Sequence, residues 1–322
     1  MRRTVFLCTL IAIAAGTSGV LASTGPSAPA STFAAANDEA FEYVSDFFCF
    51  VGGDETGRVA FAFDVNRGRD GDDYEAQTFS MLWVEGSGWR DVGGMQDFED
   101  ARDRFFELPS SEVWSVTGLT SEGVVIASEE HGLSLQVDPI RTHTKNRRGL
   151  AAFTAGSAAG TLTLGERVVT GRVSHEYCFL SDMNPLAKRY TDLFGDGFDG
   201  IYAVIGSPSE GADLRFHESG GRLMPLIRER DGFIGEEGAV VRIEGADFDV
   251  TGGSIGGFFR WPARYRANWG AGDGRRSFDL DVDERETVAN FVFIGVAAAI
   301  VEGTYVEGGV EQPVFGFALV VR

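Results

Sequence analysis

Ser45-Asp46-Phe47-Phe48-Cys49-Phe50 and Ser174-His175-Glu176-Tyr177-Cys178-Phe179 place Ser, an aromatic ring, Cys and Phe at matching offsets, and each runs within a few residues into turn chemistry. A short aromatic and apolar run bounded by turn residues has the signature of a strand. Its recurrence predicts a duplicated β domain. The second copy exchanges bland residues for His175 and Glu176, so a polar site is sought there first.

Working outward, the first copy opens a strand over 47–51, which turns through Gly52-Gly53-Asp54-Glu55-Thr56-Gly57 into a second strand over 58–65. Residues 66–73 read as a further turn leading to a strand over 74–85. Their acidic cluster lacks the regular ligand spacing of a calcium loop and reads as a solvated hairpin tip. Residues 95–106, with charges and aromatics at roughly helical spacing, are the best helix candidate in a chain with little helical signal. Strands are expected at 112–117, 124–128 and 133–137, and the basic stretch 141–149 reads as a surface loop. The second half continues in the same style, with strands over 160–164, 167–179, 198–205, 214–217, 222–225, 240–243, 258–267, 291–301 and 314–321. Many strands with 26 Phe and 43 Gly predict an all-β chain of two antiparallel barrel or sandwich domains. The repeat divides it into 39–165 and 166–322, with a boundary near 230 as the alternative.

Arg2 and Arg3, the apolar run 5–15 and Val20-Leu21-Ala22 read as a signal peptide over 1–22, so the chain is expected to be exported, periplasmic or secreted. Residues 23–38, rich in Ser, Ala, Thr and Pro, read as a disordered leader. No later segment approaches the roughly 18 apolar residues of a membrane helix, so no stable membrane insertion is expected. Residues 1–22 hold two arginines and no acid, and their removal takes the formal charge from −20 to −22. Such an acidic surface argues against nucleic acid as a partner. Cys49 and Cys178 either form a disulfide, as export would permit, or are small buried residues at equivalent strand positions. His131, His143 and His217 show no metal-ligand spacing, and there is no nucleophile elbow, phosphate loop or dinucleotide fingerprint. No metal or cofactor is therefore expected.

Three stretches carry a resemblance. They are Gly160-Thr161-Leu162-Thr163-Leu164 with Val169-Thr170-Gly171 and Ser174-His175-Glu176-Tyr177; then Gly197-Phe198-Asp199-Gly200; then Trp261-Pro262-Ala263-Arg264-Tyr265-Arg266 through Val301-Glu302-Gly303-Thr304-Tyr305 to Pro313-Val314-Phe315-Gly316. In these the chain resembles the lipocalin-like (calycin) family of carotenoid 1,2-hydratases, or hydroxyneurosporene synthases, and AttH-type proteins. The resemblance implies two lipocalin-like β domains. It carries the family's pocket His and Asp onto His175 and Asp199 as catalytic residues, with Tyr177, Phe198 and Glu176 as ligand-binding neighbours. Ser174 and Gly200 stand where the family has an Asp and a Trp, which removes a carboxylate and an aromatic wall.

Adding water to an isolated alkene needs a positioned acid, aromatic faces for the carbocation and a water to capture it. Asp199, its proton held by an apolar surrounding, would be that acid, oriented by His175. Two plainer readings stand beside this one: Asp199 also lies in an acidic turn over 192–200, and a buried, satisfied histidine needs no catalytic role. His175 and Glu176, adjacent in a strand, point to opposite faces, so at most one enters a pocket. The expectation is an exported protein that binds an apolar small molecule (a lipid, terpenoid or polyene) in an aromatic-lined cavity. The alternatives are a hydratase, cyclase or isomerase acting on such a compound, and a structural envelope protein with no ligand.

Overall fold

The computed structural model describes residues 41–70, 73–99, 108, 110–148, 151–181, 198–219, 229–236, 239–252, 262–290 and 296–321. They form two curled antiparallel sheets, with no α-helix among them and one 3-10 turn at Gly272–Gly274. The first sheet contains β1 (Phe41–Asp54), β2 (Gly57–Asp70), β3 (Asp73–Val84), β4 (Gly88–Glu99), β5 (Ser115–Leu119), β6 (Gly123–Ser128), β7 (Leu133–Val137), β8 (Arg141–Arg148), β9 (Ala151–Leu164) and β10 (Arg167–Ser181). The second contains β11 (Phe198–Ile205), β12 (Ala212–Ser219), β13 (Glu229–Glu236), β14 (Ala239–Arg242), β15 (Asp247–Gly252), β16 (Pro262–Trp269), β17 (Arg276–Asn290), β18 (Val296–Glu307) and β19 (Val310–Val321).

The strand orders are β4-β3-β2-β1-β10-β9-β7-β6-β5 and β14-β13-β12-β11-β19-β18-β17-β16-β15, with β8 pairing separately on β9. Each sheet thus joins its first strand to its last and carries three strands on one side of that seam. The duplication is real in topology, but the six-residue repeat does not mark it. Its copies lie in β1 and β10, side by side in one sheet, with Ser45 opposite Cys178, Phe48 opposite His175 and Cys49 opposite Ser174. The division expected at 165 falls between β9 and β10, inside the first sheet, and the second sheet begins only at β11.

β1 shows why the sheets stack. Phe48 and Phe50 face the interior of the first half-barrel, while Phe47, Cys49 and Val51 on the opposite face pack against Tyr202, Ile300, Phe315 and Phe317 of the second. A strand buried on both faces reads as a continuous apolar run. Each ring so buried contributes about 1.5–3 kcal/mol. Phe50 lies over the cross-strand row Gly52, Gly171 and Gly160, where side chains would collide with its ring, so these glycines form a platform for it. Trp114, fully buried against Phe61 and Phe63, plugs the half-barrel toward its tight-turn end.

Three local expectations are corrected. The helix candidate begins in β4: Met95 pairs with Phe79 and Phe98 with Ala76, and residues 100–106 lie outside the described residues. Ladder pairing with β3 overrides the helical spacing of those side chains. The basic stretch is a strand, because β7 covers only the 160–164 part of β9 and leaves the 151–157 part to pair with β8. Charged residues suit such an outlying strand. The turn expected over 66–73 is mostly strand, since β2 runs to Asp70 and pairs it with Asp73. The strand expected at 222–225 lies outside the described residues.

Candidate functional site

The interior of the first half-barrel is built in cross-strand rows. Side chains directly opposite one another in an antiparallel ladder share a face. Leu82, Phe61, Phe50, Val173 and Ala158 make an apolar row; Ser80, Phe63, Phe48 and His175 make the next; and Thr78, Val65, Asp46 and Tyr177 make the one beyond. Polarity therefore rises along the barrel away from its tight-turn end, and Arg67, opposite Val44, lies one row further.

Asp46 is the hub of the polar end. It is 2% exposed, accepts a hydrogen bond from His175 Nε2 at 2.9 Å through one oxygen and pairs with the fully buried Arg67 through the other. Burial pushes the Asp46 carboxyl up, but Arg67 and His175 together outweigh it and hold the group below the ordinary carboxylate range. It is thus an ionised anchor. The His175 ring lies 4.6 Å from that of Phe48. Tyr177, opposite Asp46, is 7% exposed, and its hydroxyl has no hydrogen-bond partner among the described residues. Burial, reinforced by the Asp46 charge, pushes that phenol well above its usual range, so it remains a neutral donor. Thr78, in the same row, is fully buried with its hydroxyl also unpartnered.

Asp199 stands elsewhere. It is buried in β11, a strand rather than a turn, on the interior face of the second half-barrel, and accepts a hydrogen bond from Tyr265 at 2.9 Å. The expected His175–Asp199 pairing is not formed; His175 bonds to Asp46 in the first half-barrel and Asp199 to Tyr265 in the second. Phe198 opens β11, and its side chain lies outside the described residues. Gly200, where the resemblance expects a Trp, leaves its space to Tyr202: a Cβ there would meet the Tyr202 hydroxyl at 2.9 Å.

Glu176 points away from His175, into the seam between the sheets. There Arg215 bonds to it at 2.6 Å and to Asp231 at 3.0 Å. Burial pushes the Glu176 carboxyl up, and Arg215, His217 and the Tyr202 hydroxyl overcome this and lower it. The same seam holds two buried carboxyls that form no ion pair among the described residues. Asp213 accepts from Ser174 at 2.8 Å, and Asp64 accepts from Ser45 at 2.8 Å and from Asn66 at 2.9 Å. Burial raises both to about 7. Ser174 thus replaces the carboxylate of the resemblance with a donor that serves a carboxyl across the seam. A cavity of about 10 Å³ lies beside Glu176, Arg215 and Asp231, room for about one water.

Cys49 and Cys178 are free and buried. Their partners in the ladder are Ser174 and Ser45, so they lie four positions apart along it, about 14 Å at about 3.4 Å per residue. A disulfide needs Cα atoms within about 7 Å. No group of three or more His, Cys, Asp and Glu side chains able to hold a metal occurs among the described residues.

Paired curled sheets, each joining first strand to last and stacked through an aromatic seam, define a two-half-barrel lipocalin-like fold. No family model matches the sequence, and no curated protein does so. Among solved structures, the fold is similar to that of an AttH-like protein of Nitrosomonas europaea, with a TM-score of 0.58 and 13% identity over 94% of this chain and 99% of that one. It is also similar to that of kievitone hydratase from Nectria haematococca, with a TM-score of 0.54 and 10% identity over 86% of this chain and 88% of that one. At these identities the likeness is one of fold. Asp46 and Arg67, which the sequence reading missed, could have been sought from the repeat itself, since Asp46 occupies the position of His175 in the first copy.

Proposed function

We propose that this protein binds a small, largely apolar organic molecule at the polar end of its first half-barrel. The supporting observation is the unpartnered, buried Tyr177 hydroxyl beside the Asp46–His175–Arg67 group, above rows of Phe rings. A buried hydroxyl left without a partner costs about 1–3 kcal/mol, and a bound molecule can relieve that cost. Native mass spectrometry of protein purified from its own host, with identification of whatever organic solvent releases, tests the reading. A stoichiometric small molecule supports it; a clean apo mass together with no binding of a fluorescent lipid probe overturns it. We include export in the proposal, with a mature N-terminus near Ser23, which N-terminal sequencing of the secreted or periplasmic protein checks.

A second reading, hydratase-like chemistry at the same place, is favoured by the His175–Asp46 hydrogen bond. The Asp46 carboxylate fixes the orientation of the imidazole. The ring, once protonated, would give its proton to one alkene carbon, with the Phe48 face beside the resulting carbocation. Water would add to the other carbon, and the proton it then sheds would return to the imidazole, so that one water is added across the double bond. His175→Gln is expected to keep ligand affinity within about threefold and to abolish turnover of any substrate identified. Equal loss of binding and turnover would assign His175 a binding role alone.

A further inference from the structure

Along β9 the strands β7 and β8 form one course: β7 pairs with residues 160–164 and β8 with 151–157, while β10 holds the other side of β9. The β5–β6 hairpin covers the outer edge of β7, and it reaches this course last where the Ile140 N–H donates to the Thr120 carbonyl. At His143 the ring packs against Phe233 and the backbone carbonyl accepts from Arg242 at 3.3 Å. Beyond that point, among the described residues, no strand pairs with the outer edge of 144–148. Those residues keep an unbroken register with 151–155, so every second one turns its backbone N–H and C=O outward.

The side chains along this edge limit what can pair with it. β8 carries Arg141, Lys145, Arg147 and Arg148 and no acid, in a chain of formal charge −20. Arg141 and Lys145 are exposed and form no ion pair among the described residues. They pair with Ser157 and Thr154, three positions apart on β9, and therefore lie on opposite faces of the sheet. A flat anionic surface meets one of these faces; an added strand, whose own side chains alternate, meets both. Cations on an edge deter neutral and cationic strands, and they favour an acidic one through cross-strand charge pairs. We propose that the outer edge of β8 takes up an extended, acidic peptide segment of a partner protein as an added strand. Backbone hydrogen bonds to 144–148 supply the affinity, and carboxylates beside Lys145 and, at the strand's end, Arg141 supply the choice of partner. This proposal is independent of the small-molecule reading above.

The test is fluorescence anisotropy of the full chain, at low salt, with a short dye-labelled peptide in which pairs of Glu stand between Val residues, so that acids fall on both faces. It is expected to bind at least about tenfold more tightly than the same peptide with Gln for Glu, as a few cross-strand charge pairs would give. A counterpart with methylated backbone amides, which keeps the charges and loses the donors, is expected to bind at least about tenfold more weakly. Arg141→Glu combined with Lys145→Glu, at two exposed positions, is expected to weaken binding by at least about tenfold. Hydrogen exchange in wild-type protein should slow at the amides of 144–148 when the acidic peptide is added, a readout that does not depend on the variant. Equal binding of the methylated peptide overturns the proposal, because charge attraction without strand pairing would then suffice. No binding of the acidic peptide, protection that falls outside β8, or binding to phosphatidylglycerol vesicles in place of the peptide overturns it as well.

Discussion

Asp213→Asn is expected to stabilise the protein at neutral pH and to leave it unchanged in acid. Asp213 is 2% exposed on β12 and faces the first half-barrel, where the Ser174 hydroxyl lies within hydrogen-bond distance of both its oxygens, at 2.8 and 3.0 Å. The charges that reach it are Arg172 of β10 and Arg215 of β12; Val204 of β11 and Gly235 of β13 flank it in the ladder. Burial outweighs Ser174 and both arginines and raises the carboxyl from an ordinary 3.8 to about 7. The folded protein therefore holds a proton that the unfolded chain has released over that interval. Its contribution is fully present below about pH 4 and is lost as pH rises through about 7. Three powers of ten in proton affinity, at about 1.4 kcal/mol each, make the loss about 4 kcal/mol in order of magnitude. Asn keeps the shape and an acceptor for Ser174 but has no charge to bury. Urea midpoints for wild type and variant, measured from pH 4 to 8, should coincide near pH 4 and diverge by about 2–4 kcal/mol at pH 8 in favour of the variant. Taking the difference cancels carboxylates that titrate in the opposite sense, such as Asp46 and Glu176. Parallel pH profiles, or a variant less stable at pH 8, would refute the assignment of a held proton to Asp213.

Arg215→Met should be costly, about 3–5 kcal/mol in denaturant unfolding at pH 7, because Glu176 would be left buried in the seam without its cation. Gly171→Ala is expected to lower stability by about 1–3 kcal/mol, since the new Cβ would overlap the Val51 carbonyl oxygen and press on the Phe50 ring; an unchanged melting temperature would sink the platform argument. Cys49 and Cys178 should leave the intact mass unchanged on adding reductant and should be alkylated only after denaturation, because burial first, with nearby carboxylates, pushes both thiols well up from their usual range.

The local reading of strands succeeded where a strand carried its own signal. The runs over 124–128 and 133–137 alternate buried and less buried positions as β6 and β7, and 198–205 coincides with β11. It missed β13 (Glu229–Glu236), which lacks a clean apolar alternation, and also β15 (Asp247–Gly252) and β17 (Arg276–Asn290), where Phe248 and Val250, and Phe278, Leu280 and Val282, do alternate with acidic residues. β13 and β17 are held by ladder partners on either side, and the edge strand β15 by β16 alone. Of the site, His175 was singled out by comparing the two copies of the repeat, and Tyr177 entered only through the family resemblance. Asp46 was missed because its partners, His175 of β10 and Arg67 of β2, are distant in sequence and meet it only in the sheet.

Sequence alone determined an all-β chain, because period-two patterning, glycine turns and abundant Phe act locally and leave their mark in composition; its lipocalin-like character was only what the resemblance implied. Only the tertiary structure decided which residues meet. It put both copies of the repeat into one sheet, joined His175 to Asp46 rather than to Asp199, sent Glu176 into the seam and kept the two thiols apart. The reason is register: a side chain's face and neighbours depend on which strand lies beside it and at what offset, and a shift of one residue turns every side chain to the other face.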